Sequence, residues 1–261
     1  MCPNRHECYA KDTATFMILG GVCTRHCGFC AVPTGAGEIL RRDEPERVAY
    51  AAKELGLRYV VVTSVTRDDL PDEGAEHYAN TVRAVKREIP DSQVEVLTPD
   101  FHSREELVRR VVEAGPEVFN HNLETVERLQ RMVRPQADYQ CSLKTLETAK
   151  RLAPQRLTKS GLMLGLGETV PEILETGRHL LSVGVSMMTL GQYLQPMAQS
   201  LEVQEYVTPE KFQDLARKLL AMGFEKVLAG AYVRSSYHAR ETFSELGNTR
   251  TCGDSETSTG I

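Results

Sequence analysis

The sequence predicts an α/β protein built as an incomplete (β/α)6 TIM-like barrel with short N- and C-terminal extensions. Three observations carry that expectation. Short apolar or β-branched runs alternate with longer amphipathic stretches from Phe16 to Ala229, and strands separated by helices pair in parallel through right-handed crossovers. Six strand–helix units and a seventh strand can be counted, short of the eight in a closed barrel. No linker or compositional break divides the 261 residues, which suits one large domain.

The elements follow in order. Residues 1–15 carry Cys2, His6 and Cys8 and read as loop. The run 16–19 is the first strand. A helix over 44–55 has Pro45 in its first turn and stops at Gly56. The β-branched run 59–63 is a buried strand. A helix over 74–88 ends before Pro90, and 93–97 is the third strand. Ser103, with Glu106 three residues on, is the expected cap of a helix to 114. Residues 117–120 form a short strand, and 124–130 and 142–152 are helical. The fifth strand spans 158–164, with a helix over 171–182, and the sixth spans 186–190. Thr208 caps a helix to 222, and 226–229 is the last strand. The Ser-, Thr- and Gly-rich stretch 244–261 is expected to be a disordered tail.

Between the first strand and the first long helix lies Cys23-Thr24-Arg25-His26-Cys27-Gly28-Phe29-Cys30. A C-x3-C-x2-C loop can wrap three thiolates around one face of a [4Fe–4S] cube, leaving the fourth iron open to a small molecule. A structural zinc site wants four ligands, usually as two paired half-sites, and no clean second pair follows. A ferredoxin-type run needs a fourth cysteine close by, but the next is Cys141.

The bulk properties narrow the function classes. With 41% hydrophobic and 26% charged residues the composition is that of an ordinary globular enzyme. A formal net charge of −5 argues against a nucleic-acid surface. No apolar run approaches the ~20 residues that span a bilayer, and the N-terminus lacks an apolar signal region. Seven cysteines, five of them in the first thirty residues, fit a reducing compartment and a metal site. A cytoplasmic enzyme is the expectation, with neither nucleic acid nor membrane as partner.

In a barrel of this kind ligands gather at the C-terminal ends of the strands. The second strand ends in Thr63-Ser64-Val65-Thr66-Arg67-Asp68, where hydroxyls and a carboxylate can meet an ammonium or carboxylate; a capped turn would use the same residue types. The fourth ends in Asn120-His121-Asn122-Leu123-Glu124, with Asn122 and Glu124 two apart and so on one side of extended chain. A carboxylate there can accept from ribose hydroxyls, although both residues also suit a helix start. Glycines follow the fifth strand, and Gln192 follows the sixth.

The cysteine loop resembles the signature of radical S-adenosylmethionine (SAM) enzymes, whose core is an incomplete barrel of the radical SAM type. Within that superfamily the chain resembles the lipoyl synthases. The resemblance rests on Cys-Pro-Asn-x3-Glu-Cys at 2–8, the loop at 23–30 and Thr-Ser-Val-x-Arg-Asp-Asp-Leu at 63–70. It continues in Asn-His-Asn-Leu-Glu-Thr at 120–125, Lys-Ser-Gly-Leu-Met-Leu-Gly-Leu-Gly-Glu at 159–168, Gly-Gln-Tyr-Leu-Gln-Pro at 191–196 and Arg-Ser-Ser-Tyr at 234–237.

The resemblance implies insertion of two sulfur atoms, at C6 and C8 of an octanoyl chain carried on a lipoyl carrier protein. Cys23, Cys27 and Cys30 would hold the radical cluster. Thr63, Ser64, Asp68, Asn122, Glu124 and Gln192 would line SAM. A second, auxiliary [4Fe–4S] cluster would be the sulfur source, with Cys2, Cys8 and Ser235 among its ligands. An electron donor such as a flavodoxin or ferredoxin is implied as well. The first auxiliary cysteine of the pattern falls five residues before Cys2, ahead of Met1. The 1–15 auxiliary-cluster segment therefore reads as truncated, followed by the partial barrel at 16–243. A cluster with fewer ligands should be labile, with product formation weakened or absent while SAM cleavage survives. The alternatives are another radical SAM sulfur-inserting enzyme such as one of biotin synthesis, an inactive truncated paralogue, and a metal-binding redox module.

Overall fold

Alternation of apolar and polar residues along each strand gives the sheet its two faces. The structure, a computed structural model, describes residues 4–237, 239–241 and 243. Seven parallel strands run in sequence order: β1 (Thr13–Ile18), β2 (Tyr59–Ser64), β3 (Gln93–Leu97), β4 (Val118–Asn120), β5 (Leu157–Leu164), β6 (Met187–Gln192) and β7 (Lys226–Gly230). Among the described residues β1 pairs only with β2 and β7 only with β6, so the barrel is open along one seam. The helices are α1 (Arg5–Ala10), α2 (Glu44–Glu54), α3 (Ala75–Glu88), α4 (Glu105–Glu113), α5 (Gln130–Val133), α6 (Tyr139–Leu152), α7 (Val170–Ser182) and α8 (Pro209–Met222).

The outer face packs against those helices. Val60, Val62, Val94, Val96 and Phe119 share one buried cluster with Val82 and Val85 of α3 and Val108 and Val111 of α4. Leu164, Met188 and Leu190 share a second with Leu146, Ile173, Leu180 and Leu215 of α6, α7 and α8. Each such side chain contributes about 1.5–3 kcal/mol by leaving water.

The alternate residues face inward, and there the lower barrel is polar. Glu95 and Lys159 are both fully buried, with Lys159 Nζ 3.0 and 3.3 Å from the two Glu95 oxygens. Tyr59 Oη donates to Glu95 at 2.8 Å and Asn120 Nδ2 at 2.9 Å. A buried carboxylate is tolerable only when its lone pairs are taken in this way.

The seam is strapped by the chain that follows β7. Asn4 Nδ2 donates to Tyr232 O at 2.6 Å, Thr15 Oγ1 to Ser236 Oγ at 3.1 Å, and Arg240 Nη1 to Asp12 at 2.9 Å. Below these ties Ala239 and Phe243 pack against Tyr59 and Val61.

The expected fold class is borne out, with local differences. Residues 5–10 are helical instead of loop, and β1 begins at Thr13, not Phe16. It ends before Leu19 because Leu19 has φ 70° and turns the chain. Ser103 does not cap α4: it sits in a 3-10 turn at φ 52°, and Arg104 precedes the helix. The expected helix over 124–130 does not form, because Glu124, at φ 67°, bridges to Leu162 of β5. A 3-10 turn and the short α5 follow instead. Thr208 caps α8 as expected, accepting from Lys211 N. The tail expected at 244–261 lies outside the described residues.

Lys159→Met leaves the Glu95 carboxylate buried and uncompensated, so the unfolding free energy in a urea titration should fall by about 3–5 kcal/mol. Adding Glu95→Gln should recover most of that loss, because the amide oxygen can accept from Asn120 while its NH2 donates to the Tyr59 hydroxyl, which also accepts, with no buried charge.

Candidate active site

The cysteine loop is held at three heights. At its neck Cys23 N donates to Pro33 O at 2.8 Å and Gly35 N to Cys23 O at 3.0 Å. At its tip Gly28 N donates to Val133 O and Leu201 N to Gly28 O, both at 2.9 Å. A Cβ on Gly28 would lie 2.9 Å from Leu201 Cγ and 3.3 Å from Met132 O, so the tip admits nothing larger. Between neck and tip stands Arg25, 5% exposed. Its Nε and Nη2 donate to Asp68 at 2.8 and 2.9 Å, and its Nη1 and Nη2 to Asp100 at 2.6 and 2.9 Å. Burial opposes the Asp100 charge, yet the Arg25 guanidinium holds this carboxyl well below the usual carboxylate range.

The three thiols line one cavity of about 180 Å³ together with Thr63, Ser64, His121, Asn122 and Glu124. Backbone N–H groups of Thr66 and Arg25 point at Cys23 Sγ from 3.3 and 3.4 Å, and that of Val32 at Cys30 Sγ from 3.4 Å. Such donors favour the thiolate. Burial works the other way, pushing Cys27 up to about 11 and Cys30 in the same direction.

The spacing of the sulfurs selects the group they fit. Zn–S bonds of about 2.3 Å put the sulfurs of a tetrahedral zinc site about 3.8 Å apart. Among the described residues, Asp68, Glu73 and His102 alone form a trio of ligand-type side chains whose ligand atoms all lie within 4.8 Å of one another. Cys23, Cys27 and Cys30 are therefore too far apart to close on one zinc. As three thiols lining one cavity, they would hold a [4Fe–4S] cube as its cysteine ligands, and the donor set fits that group.

A second cavity of about 310 Å³ adjoins the first, and Phe29, Leu97, Asn122 and Glu124 line both. Asn122 Nδ2 donates to Glu124 Oε1 at 3.1 Å and to Ser235 Oγ at 2.7 Å, while its buried Oδ1 has no partner. Gly161 makes room for it, since a Cβ there would lie 2.4 Å from Thr189 Oγ1 and 3.1 Å from Asn122 Oδ1. Burial pushes the Glu124 carboxyl up, against the opposing pull of Arg134. His121 is pushed down to about 4 by burial and then by Arg134, so its ring is neutral at pH 7. Its Nδ1 is 2.8 Å from Thr98 O, which assigns the proton to that nitrogen and leaves the buried, unpartnered Nε2 an acceptor.

The expected site residues thus divide. Cys23, Cys27, Cys30, Thr63, Ser64, Asn122 and Glu124 share the first cavity. Asp68 turns instead to Arg25 and Thr24. Gln192 lines the second cavity, but its amide is used by backbone, Nε2 donating to Tyr193 O and Glu205 O and Oε1 accepting from Val207 N. Ser235 also lines the second cavity. Cys8 lies on α1 in a separate recess with Tyr237, and Cys2 lies outside the described residues. Arg25, Asp100, Arg134 and His121 went unassigned in the sequence. Arg25 carried a signal, being a cation between two cysteines. Arg134, whose Nη1 holds the Asn122 and Leu123 carbonyls at 3.1 and 3.2 Å, carried none.

Comparison with known proteins agrees with this geometry. Residues 17–180 match the Radical SAM superfamily. The lipoyl synthase of Caldanaerobacter subterraneus subsp. tengcongensis is 56% identical over 238 residues, covering 91% of this chain and 84% of that protein. This chain belongs to the lipoyl synthase family. The lipoyl synthase of Rubrobacter xylanophilus is 54% identical, over 92% of this chain and 75% of its own length. Among solved structures, methylornithine synthase superposes with a TM-score of 0.64 at 15% identity, over 84% of this chain and 66% of its own. The [FeFe]-hydrogenase maturase HydG gives 0.62 at 14%, over 90% and 62%. These two share the fold. Membership of the lipoyl synthase family brings with it a radical SAM [4Fe–4S] cluster and SAM, the groups that the thiol spacing fits.

The Arg25–Asp100 pair makes stability depend on pH. Because the folded carboxyl ionises below its unfolded value of about 3.9, its contribution is complete above that pH and fades as pH falls. Asp100→Asn should lower the unfolding free energy at pH 7 and flatten its decline between pH 5 and pH 2 in denaturant titrations. A wild-type and variant pair with parallel pH profiles would refute the assignment.

Proposed function

We propose that this chain acts as a lipoyl synthase on an octanoylated lipoyl carrier protein or domain, replacing C–H by C–S bonds at C6 and C8 to give the lipoyl group. The observation that carries the reading is the junction of the two cavities, where a wall of three thiols meets, at Asn122 and Glu124, a chamber lined on one part by Phe29, Leu97, Leu162, Met163 and Leu194 and on another by Thr189, Arg234 and Ser235. When bound, the [4Fe–4S] cluster supplies the electron for reductive SAM cleavage, and thereby the radical chemistry an unactivated C–H bond requires.

The residues divide the remaining work. Cys23, Cys27 and Cys30 hold the cluster as thiolates, so loading must release their protons. Asp68 acts through Arg25, fixing the loop from which those thiols project. Thr63 and Ser64 offer hydroxyls to the amino-acid end of SAM. Asn122 Oδ1 and the Glu124 carboxyl accept from ribose hydroxyls. Phe29, Leu97, Leu162, Met163 and Leu194 line the second cavity, keeping water from a reactive carbon and matching an acyl chain in polarity. Gln192 splints the 193–207 loop that covers this chamber.

The sulfur comes from a second, auxiliary [4Fe–4S] cluster consumed as a substrate, with Cys2, Cys8 and Ser235 among its ligands. Ser235 would supply a hard alkoxide oxygen beside soft thiolates, and would hold its iron less firmly than they hold theirs. A flavodoxin or ferredoxin supplies electrons. No helix of the described residues is long and apolar enough to cross a membrane, and the reading places the enzyme in the cytoplasm, working on neither nucleic acid nor membrane.

Anaerobically reconstituted protein, reductant, SAM and octanoylated carrier test this. Cys27→Ser should abolish both 5′-deoxyadenosine and lipoyl product. Ser235→Ala should keep 5′-deoxyadenosine within about threefold while lowering lipoyl product at least about tenfold, the split expected of a residue used only after hydrogen abstraction. Wild-type protein that cleaves SAM but never adds sulfur to the octanoyl chain would overturn the reading.

A further inference from the structure

We propose that Lys159 is a positioning residue for the reaction: from inside the barrel it holds the main chain of Ser235 and so seats the strap on which that serine rides. The inference deepens the reading of Ser235 as an auxiliary-cluster ligand and rests on it.

An ammonium has three N–H donors, and Lys159 is fully buried. Its contacts to Glu95, at 3.0 and 3.3 Å, take part of that capacity. The backbone carbonyl of Ser235, in close contact with Nζ, takes the rest. Were the strap to lift, the ammonium would keep Glu95 but lose the acceptor for its remaining N–H, and a buried donor left unpaired is penalised. The ammonium therefore favours the seated strap.

A role in core stability alone does not account for the arrangement. A buried ion pair is on average no more stabilising than apolar residues of the same volume, and Glu95 already has Tyr59 and Asn120 as donors. What the lysine adds, and a methionine would not, is a charged donor to a carbonyl that belongs to no strand. Other features converge on the same stretch. A Cβ on Gly191 would lie 2.2 Å from Val233 O, so the strap's backbone lies directly on β6. Asn122 Nδ2, at 2.7 Å, sets the direction of the Ser235 hydroxyl once its backbone is fixed. The ties of Tyr232, Ser236 and Arg240, by contrast, reach across the seam to residues 4–15.

The test compares full-length wild type with the Glu95→Gln/Lys159→Met double variant, which removes the donor without stranding a charge. Limited trypsin digestion read by mass spectrometry should show cleavage after Arg234 accelerated roughly tenfold, with cleavage elsewhere unchanged and only a small fall in the thermal midpoint, as for a local opening. With reconstituted protein, 5′-deoxyadenosine formation should hold while lipoyl product falls about tenfold, the usual scale for a supporting partner. Unchanged cleavage after Arg234 overturns the proposal, as does acceleration spread over all sites, which would mark a merely structural role. Ser235→Ala run in parallel separates the two readings. If it leaves lipoyl formation intact, the ligand role of Ser235 fails, while the Arg234 cleavage rate still decides the anchoring by Lys159.

Discussion

The position of three thiols depends on one buried guanidinium. The cysteine loop has no regular structure of its own; its neck and tip are tied by backbone bonds, and Thr24 adds a hydroxyl bonded to Thr66 O and Asp68. Arg25 adds a side chain whose planar fork meets two carboxylates at once, one from the loop after β2 and one from the loop after β3. Bidentate pairing of this kind fixes orientation as well as distance. Because both carboxylates stand just beyond the ends of neighbouring strands of one sheet, the loop is tied to the barrel. A lysine would offer a point charge and leave the loop free to rotate about it.

The barrel, in turn, explains why residues distant in sequence share a cavity. Parallel strands put all their C-terminal ends on one side, so Thr63, Asn122 and Gln192 arrive at the same mouth from β2, β4 and β6. The interior below is polar, with Glu95, Asn120 and Lys159 in contact across three strands. This layer makes the barrel floor a hydrogen-bonded plate, with the site on one side and Ala239 on the other.

Much of this was legible in the sequence, and the reason differs by element. The β-branched run at 59–63 and the strand–helix rhythm are statements about burial, which periodicity records directly. The cysteine spacing is a statement about ligand geometry within eight residues, and it too is local. What escaped was non-local or conformational. Glu124 was read as a helix start because its residue type permits one, but a backbone bridge to Leu162 places it in the left-handed region instead. Asp68 has the composition of a ligand contact, and only the approach of Arg25 shows that its oxygens are used. Gln192 is similar, since the bonds that occupy its amide come from residues up to fifteen positions away. Cys8 was expected in loop and stands on a helix whose formation the short polar stretch 5–10 did not announce.

The thiols themselves have a consequence for the protein before it is loaded. Thiolates, not thiols, attack disulfides and oxidants, and burial raises the Cys27 and Cys30 thiols, favouring their protonated form. Cys23, Cys27 and Cys30 are all free thiols in the structure. At Cys27 and Cys30 a newly made chain is thus chemically quieter, because little of either thiol is present as the reactive thiolate before iron and sulfide are delivered.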